Sequence, residues 1–245
     1  MLVSIVTVAF NSGKTIRKTI ESVLNQTCTD IEYLIVDGKS SDNTVEIAKE
    51  YEEKFAEKNI SYRIISEKDK GIYDAMNKGI RMATGEIVGL INSDDWFEPN
   101  AVETVVKTYE EEPFDYFYAD INLIKQDGTI IRKRSRTDKI VSSRHWNHPT
   151  SFVTKATYEK LGVFNCKEIY DDFDFYLRAR KANIKMVIRN VVLANFCVGG
   201  VSNQKSLKKC LKRIGIKYRC YKNNGYSPLY AIECIAMEFA KIILS

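Results

Sequence analysis

Histidine and proline are scarce in this chain, at two and four copies among 245 residues, and several longer patterns are missing altogether. No run of about 18 uncharged apolar residues occurs, which argues against a conventional membrane-spanning helix. The opening Met1-Leu2-Val3-Ser4-Ile5-Val6-Thr7-Val8 has no basic segment ahead of its apolar residues. It reads as a buried strand rather than a secretory signal, and a cytoplasmic chain is expected. Cys28, Cys166, Cys197, Cys210, Cys220 and Cys234 form no C-x-x-C pair and no metal-ligand spacing. They read as reduced thiols used as small apolar side chains. There is no internal repeat and no low-complexity stretch. What remains, 44% hydrophobic and 28% charged residues, is ordinary globular composition. The length suits one large α/β domain, or one domain with an appendage.

Acid is missing locally. Between Asp174 and Glu233 there is neither Asp nor Glu. Residues 1–174 carry 23 Lys and Arg against 30 Asp and Glu, a net of −7, while residues 175–245 carry 14 against 2, a net of +12. The overall +5 therefore hides a basic C-terminal region, which points to an anionic partner such as a membrane surface or a polyanion. No nucleic-acid recognition motif accompanies it, and no nucleic-acid partner is expected.

In the first half, short β-branched runs alternate with helical patterns. Strands are predicted at Ser4–Ala9, Ile31–Val36, Tyr62–Ser66 and Ile87–Ile91. Helices are predicted through Ile16, Ile20, Val23 and Leu24, through Val45, Ala48, Tyr51 and Phe55, over Tyr73–Ala83, and from near Pro99. Such β-α repeats imply a mostly parallel central sheet with helices on both faces, whose ligands bind beyond the carboxyl ends of the strands. The second half is less regular. Asp127-Gly128 reads as a hairpin turn, Asp171–Ala182 as a helix and Ile184–Ile188 as a strand. The division that follows is one domain over 1–204, with a nucleotide-binding half 1–115 and an acceptor half 116–204, and a tail over 205–245.

Polar residues gather at the predicted strand ends. Thr7-Val8-Ala9-Phe10-Asn11 closes the first strand. Asp37-Gly38-Lys39-Ser40-Ser41-Asp42-Asn43-Thr44 follows the second; helix capping accounts for Ser41–Thr44 but not for Asp37. A carboxylate at the end of a buried strand is costly unless paired or used, and this one could accept a uracil imide or ribose hydroxyls. Asn92-Ser93-Asp94-Asp95 ends the fourth strand. Adjacent carboxylates repel one another and favour a cation, and Mg²⁺ or Mn²⁺ takes carboxylate and diphosphate oxygens together. Asp171-Asp172-Phe173-Asp174 opens a helix, where acids complement the helix dipole or one of them removes a proton from an incoming hydroxyl.

The order V-T-V-A-F-N, V-D-G-K-S-S-D-N-T, N-S-D-D and D-D-F-D-F-Y-L-R resembles glycosyltransferase family 2, with its GT-A fold. The stretch from Ser66 to Gly79, containing Tyr73-Asp74-Ala75-Met76-Asn77-Lys78-Gly79, is similar to a bacterial branch that builds cell-surface polysaccharide repeat units. His148-Pro149-Thr150-Ser151-Phe152 and Gly199-Gly200-Val201-Ser202 also resemble that branch. The resemblance implies an inverting hexosyltransferase taking a nucleoside diphosphate sugar, UDP-linked, to a hydroxyl of a lipid-diphosphate-linked or polysaccharide acceptor, in O-antigen or capsule assembly. It places Thr7, Ala9, Asn11, Asp37 and Glu67 around the nucleotide and Asp94 facing the ribose and diphosphate. Asp95 would bind Mg²⁺ or Mn²⁺, and Asp172 would be the general base. Lys70 and His148 are candidates for touching substrate. The family often has Glu where Asp171 stands, which bears on that residue's role alone. No histidine follows His148, so none can complete the metal site late in the chain.

Two other readings compete. A sugar-1-phosphate nucleotidyltransferase would need a glycine-rich loop where Asn11-Ser12-Gly13-Lys14 stands. A non-catalytic nucleotide-sugar or polyanion binder would not need Asp172. In the tail, Lys205, Lys208, Lys209, Lys212, Arg213, Lys217, Arg219 and Lys222 precede Ser227-Pro228, which caps an apolar helix over residues 229–244. Glu233, Glu238 and Lys241 share one polar sector of that helix. It is expected either to pack on its own domain or a second subunit, or to lie on an anionic membrane, attaching the enzyme to the inner face of the cell membrane.

Overall fold

The first strand, β1 (Val3–Ala9), is buried along its whole length because it lies between two parallel neighbours, β2 (Ile31–Asp37) and β4 (Ile87–Asn92). β3 (Ser61–Ser66) adds outside β2. Alternate side chains of these strands feed two core layers. Val3, Ile5, Tyr33 and Ile35 enter one, and Val6, Val8, Leu34 and Val36 the other. The near-continuous apolar runs follow from burial on both faces. The structure is a computed structural model and describes residues 1–137, 140–199 and 207–244, with side chains except at 207, 208 and 240–244. Gly200, Val201, Ser202 and Lys205 lie outside the described residues, as do the side chains of Lys208 and Lys241.

Helices α1 (Ile16–Leu24), α2 (Thr44–Lys49), α3 (Glu52–Glu57), α4 (Ile72–Met82) and α5 (Ala101–Glu111) connect these strands and their successors. The single helix expected through Val45 and Phe55 is instead two, α2 and α3, separated at Glu50 and Tyr51. The break keeps Ile47, Ala48, Tyr51 and Phe55 in one core layer. α4 lies close on β1: a Cβ on Gly79 would come 2.2 Å from Val6 Cγ1, so only glycine admits this approach.

The second half of the sheet is mixed. The full order is β3-β2-β1-β4, then β8 (Phe152–Thr154), β6 (Tyr116–Ile124), β9 (Met186–Cys197) and β5 (Trp96–Phe97), with β7 (Ile130–Lys133) on the edge of β6. β6 (Tyr116–Ile124) and β7 (Ile130–Lys133) form the hairpin predicted at Asp127-Gly128, with Gly128 at φ 83°. β8 (Phe152–Thr154) runs antiparallel to β4 and β6, and β9 (Met186–Cys197) runs parallel to β6. β9 is longer than the predicted Ile184–Ile188, and it also pairs with the short β5 (Trp96–Phe97). A 3₁₀ turn at His148–Thr150 precedes β8, and α6 (Lys155–Leu161) follows it. α7 (Asp171–Lys181) carries the last acidic cluster.

The tail folds as two helices, α8 (Leu207–Asn223) and α9 (Tyr230–Leu244). They pack on one another and α8 packs on α7, so the tail joins the domain rather than standing apart. Cys220, Tyr221 and Cys234 belong to the same core layer as Phe173 and Tyr176. Tyr221 donates to Val141 O at 2.6 Å and stacks on Tyr230 at 4.3 Å between ring centroids. Among the described residues no helix is long and apolar enough to cross a membrane.

Candidate active site

Register brings the strand ends to one edge. Ala9 lies beside Asp37, Val8 beside Asn92, and Asp37 beside Ser66. Asp37 is fully buried and held by three donors: Ser40 N at 3.0 Å, Ser66 Oγ at 2.6 Å and the Ser40 hydroxyl. These charge-assisted bonds supply the pairing that the strand-end sequence did not reveal. A carboxylate has about four lone-pair sites, so one remains for a ligand.

Asn11 adopts φ 49°, which asparagine tolerates, and its Oδ1 accepts from Ser41 N at 2.8 Å. Ala9 is buried at the rim, where its carbonyl accepts from Gly38 N at 2.8 Å. Thr7 sits deeper, fully buried, its hydroxyl accepting from Tyr33 at 3.0 Å. Gly38 packs close to Asp69, whose Oδ2 would lie 2.5 Å from a Cβ placed there. Glu67 is exposed at the mouth, 2.8 Å from Lys78 Nζ. Lys70 is also exposed, and its backbone N–H bonds Asp74 Oδ2 at 3.0 Å. Phe10, which the sequence reading left without a role, is 63% exposed on this rim.

Asp94 and Asp95 diverge. Asp94 is exposed, whereas Asp95 is 1% exposed. Asp95 Oδ1 accepts from Cys197 N of β9 at 2.8 Å, while Oδ2 is buried with no hydrogen-bond partner, as is Asn92 Oδ1. Burial first, and the Asp94 charge second, hold the Asp95 carboxyl well above the usual carboxylate range. Two orphaned oxygens, one of them on a buried carboxylate, suit a hard divalent cation. Among the described residues no group of three or more His, Cys, Asp or Glu could hold a metal.

The first turn of α7 separates three carboxylates, because successive helical residues point about 100° apart. Asp171 is turned back onto the preceding loop, accepting from Lys167 N at 2.5 Å and Glu168 N at 3.3 Å. Asp174 is taken by Asn165 at 2.8 Å, Asn224 at 2.7 Å and Arg178 at 3.3 Å. Asp172 differs. Its Oδ1 accepts from Tyr73 Oη at 2.9 Å and Phe173 N at 2.8 Å, while Oδ2 accepts no hydrogen bond among the described residues. His148 Nδ1 stands 3.8 Å from that Oδ2. Burial holds the imidazole below its ordinary value, against the pull of Asp172, so His148 is neutral at neutral pH. Its Nε2 is buried without a partner. His145 is half-buried and its carbonyl accepts from Arg136 N at 3.1 Å.

Three separate sequence stretches thus meet at one point, through Tyr73, His148 and Asp172. Tyr73 lies in the first turn of α4, which leaves the carboxyl edge of the sheet after β3, so the cluster lies at that edge. Sequence reasoning missed the part played by Tyr73, Ser40, Ser66 and Asp69. Tyr73 was visible only as a family marker, and the serine partners of Asp37 depend on loop closure.

Comparison with known proteins gives the family. The model of "Glycosyl transferase family 2" matches residues 4–170. A PGL/p-HBAD biosynthesis glycosyltransferase of Mycobacterium bovis is 30% identical over 222 residues, covering 88% of this chain and 85% of that protein. The chondroitin synthase of Escherichia coli is 31% identical over 259 residues, covering 98% of this chain and 36% of the synthase. In fold, the chain resembles residues 1–349 of Staphylococcus aureus TarS, solved with UDP, at a TM-score of 0.70 and 18% identity, over 98% of this chain and 71% of that one. It also resembles the mannosyltransferase PcManGT of Pyrobaculum calidifontis, solved with GDP-Man and Mn²⁺, at 0.69 and 14%, over 99% and 74%. The GT-A architecture expected from the motifs is the one observed, and the chain belongs to glycosyltransferase family 2.

Proposed function

We propose that this glycosyltransferase moves a hexose from a UDP-sugar, with inversion, to a hydroxyl of a lipid-diphosphate-linked or polysaccharide acceptor. The setting is repeat-unit assembly of a bacterial surface polysaccharide, O-antigen or capsule, at the inner face of the cell membrane. The observation that carries the reading is Asp172: one oxygen is fixed by Tyr73 and Phe173 N, and the other accepts no hydrogen bond among the described residues. A general base needs that arrangement, a carboxylate oriented by one oxygen and open at the other.

The rim would hold the donor. Asp37 presents its remaining lone pair to the uracil imide, Phe10 offers a ring face for the base, and Asn11, Glu67 and Asp94 line the ribose and diphosphate. Ala9 and Thr7 act from beneath, by shape. Asp95, with Asp94 and Asn92 Oδ1 beside it, would hold Mg²⁺ or Mn²⁺. Such an ion supplies neutralisation of the charge that grows on the departing diphosphate. The acceptor hydroxyl approaches Asp172 Oδ2 and gives up its proton there as its oxygen bonds to the anomeric carbon. The bond to the UDP oxygen breaks on the opposite face, which inverts the configuration. Neutral His148 places no positive charge beside the base and lines the acceptor side, and Lys70 stands at the mouth for a phosphate.

The test is a panel of UDP- and GDP-sugars with a lipid-diphosphate-linked sugar as acceptor, in Mn²⁺ and in excess chelator. Transfer from a UDP-sugar, loss with chelator and a product of opposite anomeric configuration by proton NMR are expected. Retention of configuration, or full activity in chelator, would overturn the mechanism.

A further inference from the structure

Helix α9 keeps its polar side inward. Glu233 accepts from the Ser142 hydroxyl and from Tyr221 Oη at 3.2 Å. Glu238 is fully buried, accepts from Arg213 Nε at 2.7 Å and stands 3.8 Å from Lys217 Nζ. Both acids are thus taken up inside the protein, Glu238 by buried cations of α8 and Glu233 by hydroxyls. The apolar sector is left outside: Leu229 is 73% exposed, Ile232 67%, Ile235 45% and Phe239 50%. These residues recur at three- and four-residue spacing, so they form one stripe along the helix. A contiguous exposed apolar face of this kind marks a contact surface.

Two occupants are conceivable, a second copy or a lipid surface, and charge separates them. The outward side of neighbouring α8 presents Leu211, 62% exposed, with Lys212 and Lys222, and α8 contains no acidic residue. Pairing two copies through the stripe would bring two basic α8 faces together. An anionic lipid surface offers the opposite charge. At about 1.5 Å per residue, a helix of this length reaches roughly 22 Å, short of the ~30 Å hydrocarbon core, so it lies along the interface.

We propose that the outward faces of α8 and α9 form a docking surface for anionic membrane, with the apolar stripe in the interface and Lys212 and Lys222 on headgroups. This names the partner surface for the lipid-borne acceptor and rests on that reading for its purpose. The placement fits the site, since α8 packs on α7, whose first turn carries Asp172. It also rules out deletion of residues 205–245 as a clean test, because Tyr221 and Cys234 sit in the core.

The test is flotation of the full chain with vesicles of phosphatidylcholine alone or mixed with phosphatidylglycerol. UDP binding, thermal melting and sedimentation velocity are measured alongside. The wild type is expected to float with the anionic vesicles only. The double variant Ile232→Glu, Phe239→Glu should lose at least about tenfold in vesicle affinity with UDP binding unchanged. Lys212→Gln with Lys222→Gln should lose about 25-fold, near fivefold per basic residue, and the wild type should weaken likewise in high salt. Wild type that stays off anionic vesicles, or variants that float as well as it does, overturns the proposal. So does a wild-type dimer that the stripe variant splits, which would assign the face to a second copy. Floating without sugar transfer in the donor panel would sink the transferase mechanism and leave the docking surface standing.

Discussion

Asp171 and Asp172 are adjacent, yet replacing each with Asn should damage different properties. In Asp172→Asn, the amide oxygen can still accept from Tyr73 and Phe173 N, while the new NH₂ replaces an oxygen that accepts nothing among the described residues. Stability should therefore change by less than about 0.5 kcal/mol, as for substitutions that break no buried partnership. The rate should fall by about 10²–10⁴, the usual contribution of a general base, or roughly 3–5 kcal/mol in the barrier. In Asp171→Asn, one oxygen must replace two that accept from Lys167 N and Glu168 N. One backbone N–H then faces an NH₂ group, at a cost of about 1–3 kcal/mol. For a chain of this size that lowers the melting temperature by roughly 2–10 °C, with transfer at permissive temperature nearly normal. Initial transfer rates, UDP calorimetry and thermal melts on both variants decide the matter. If Asp171→Asn is the slower enzyme while Asp172→Asn transfers normally, the base is misassigned.

Divalent-ion binding should depend on pH with a definite sign. Because burial raises the Asp95 carboxyl, its proton supports the folded protein at low pH, and that support is lost as pH rises through the raised value. A cation replaces the proton, so the melting-temperature gain from Mn²⁺ should grow as pH rises. Asp95→Asn should abolish that growth, and a gain that is flat with pH would contradict the metal assignment. Phe10→Ala should weaken UDP binding by about 1–3 kcal/mol if its exposed ring stacks on the base, read by calorimetry; unchanged affinity removes Phe10 from the site. Gly79→Ala should destabilise by about 1–3 kcal/mol, since the added methyl would collide with Val6, and an unaltered melt would show that α4 can shift away from the sheet.

The sequence by itself determined the parallel half of the sheet. Apolar runs bounded by polar turns place β1 to β4, and the acidic clusters fall at the carboxyl ends of β2 and β4, since an unpaired carboxylate inside a buried strand is costly. Local pattern also located α7 and the Asp127-Gly128 hairpin. It could not order β8, β6 and β9, whose pairing joins residues far apart in the chain. Nor could it separate Asp171, Asp172 and Asp174: all three sit in one acidic cluster, and what distinguishes them is which oxygens the loop, Asn224 and Tyr73 occupy. Of the partners of Asp37, Ser40 is three residues on and within the cluster the sequence displays, whereas Ser66 reaches it only across a strand pair. The tail gives the sharpest contrast. Periodicity showed that α9 has a polar and an apolar side, but it carries no information on which side faces the protein. That was decided in three dimensions by Arg213 and Lys217, buried cations on α8 that draw Glu238 inward and leave Ile232 and Phe239 facing out.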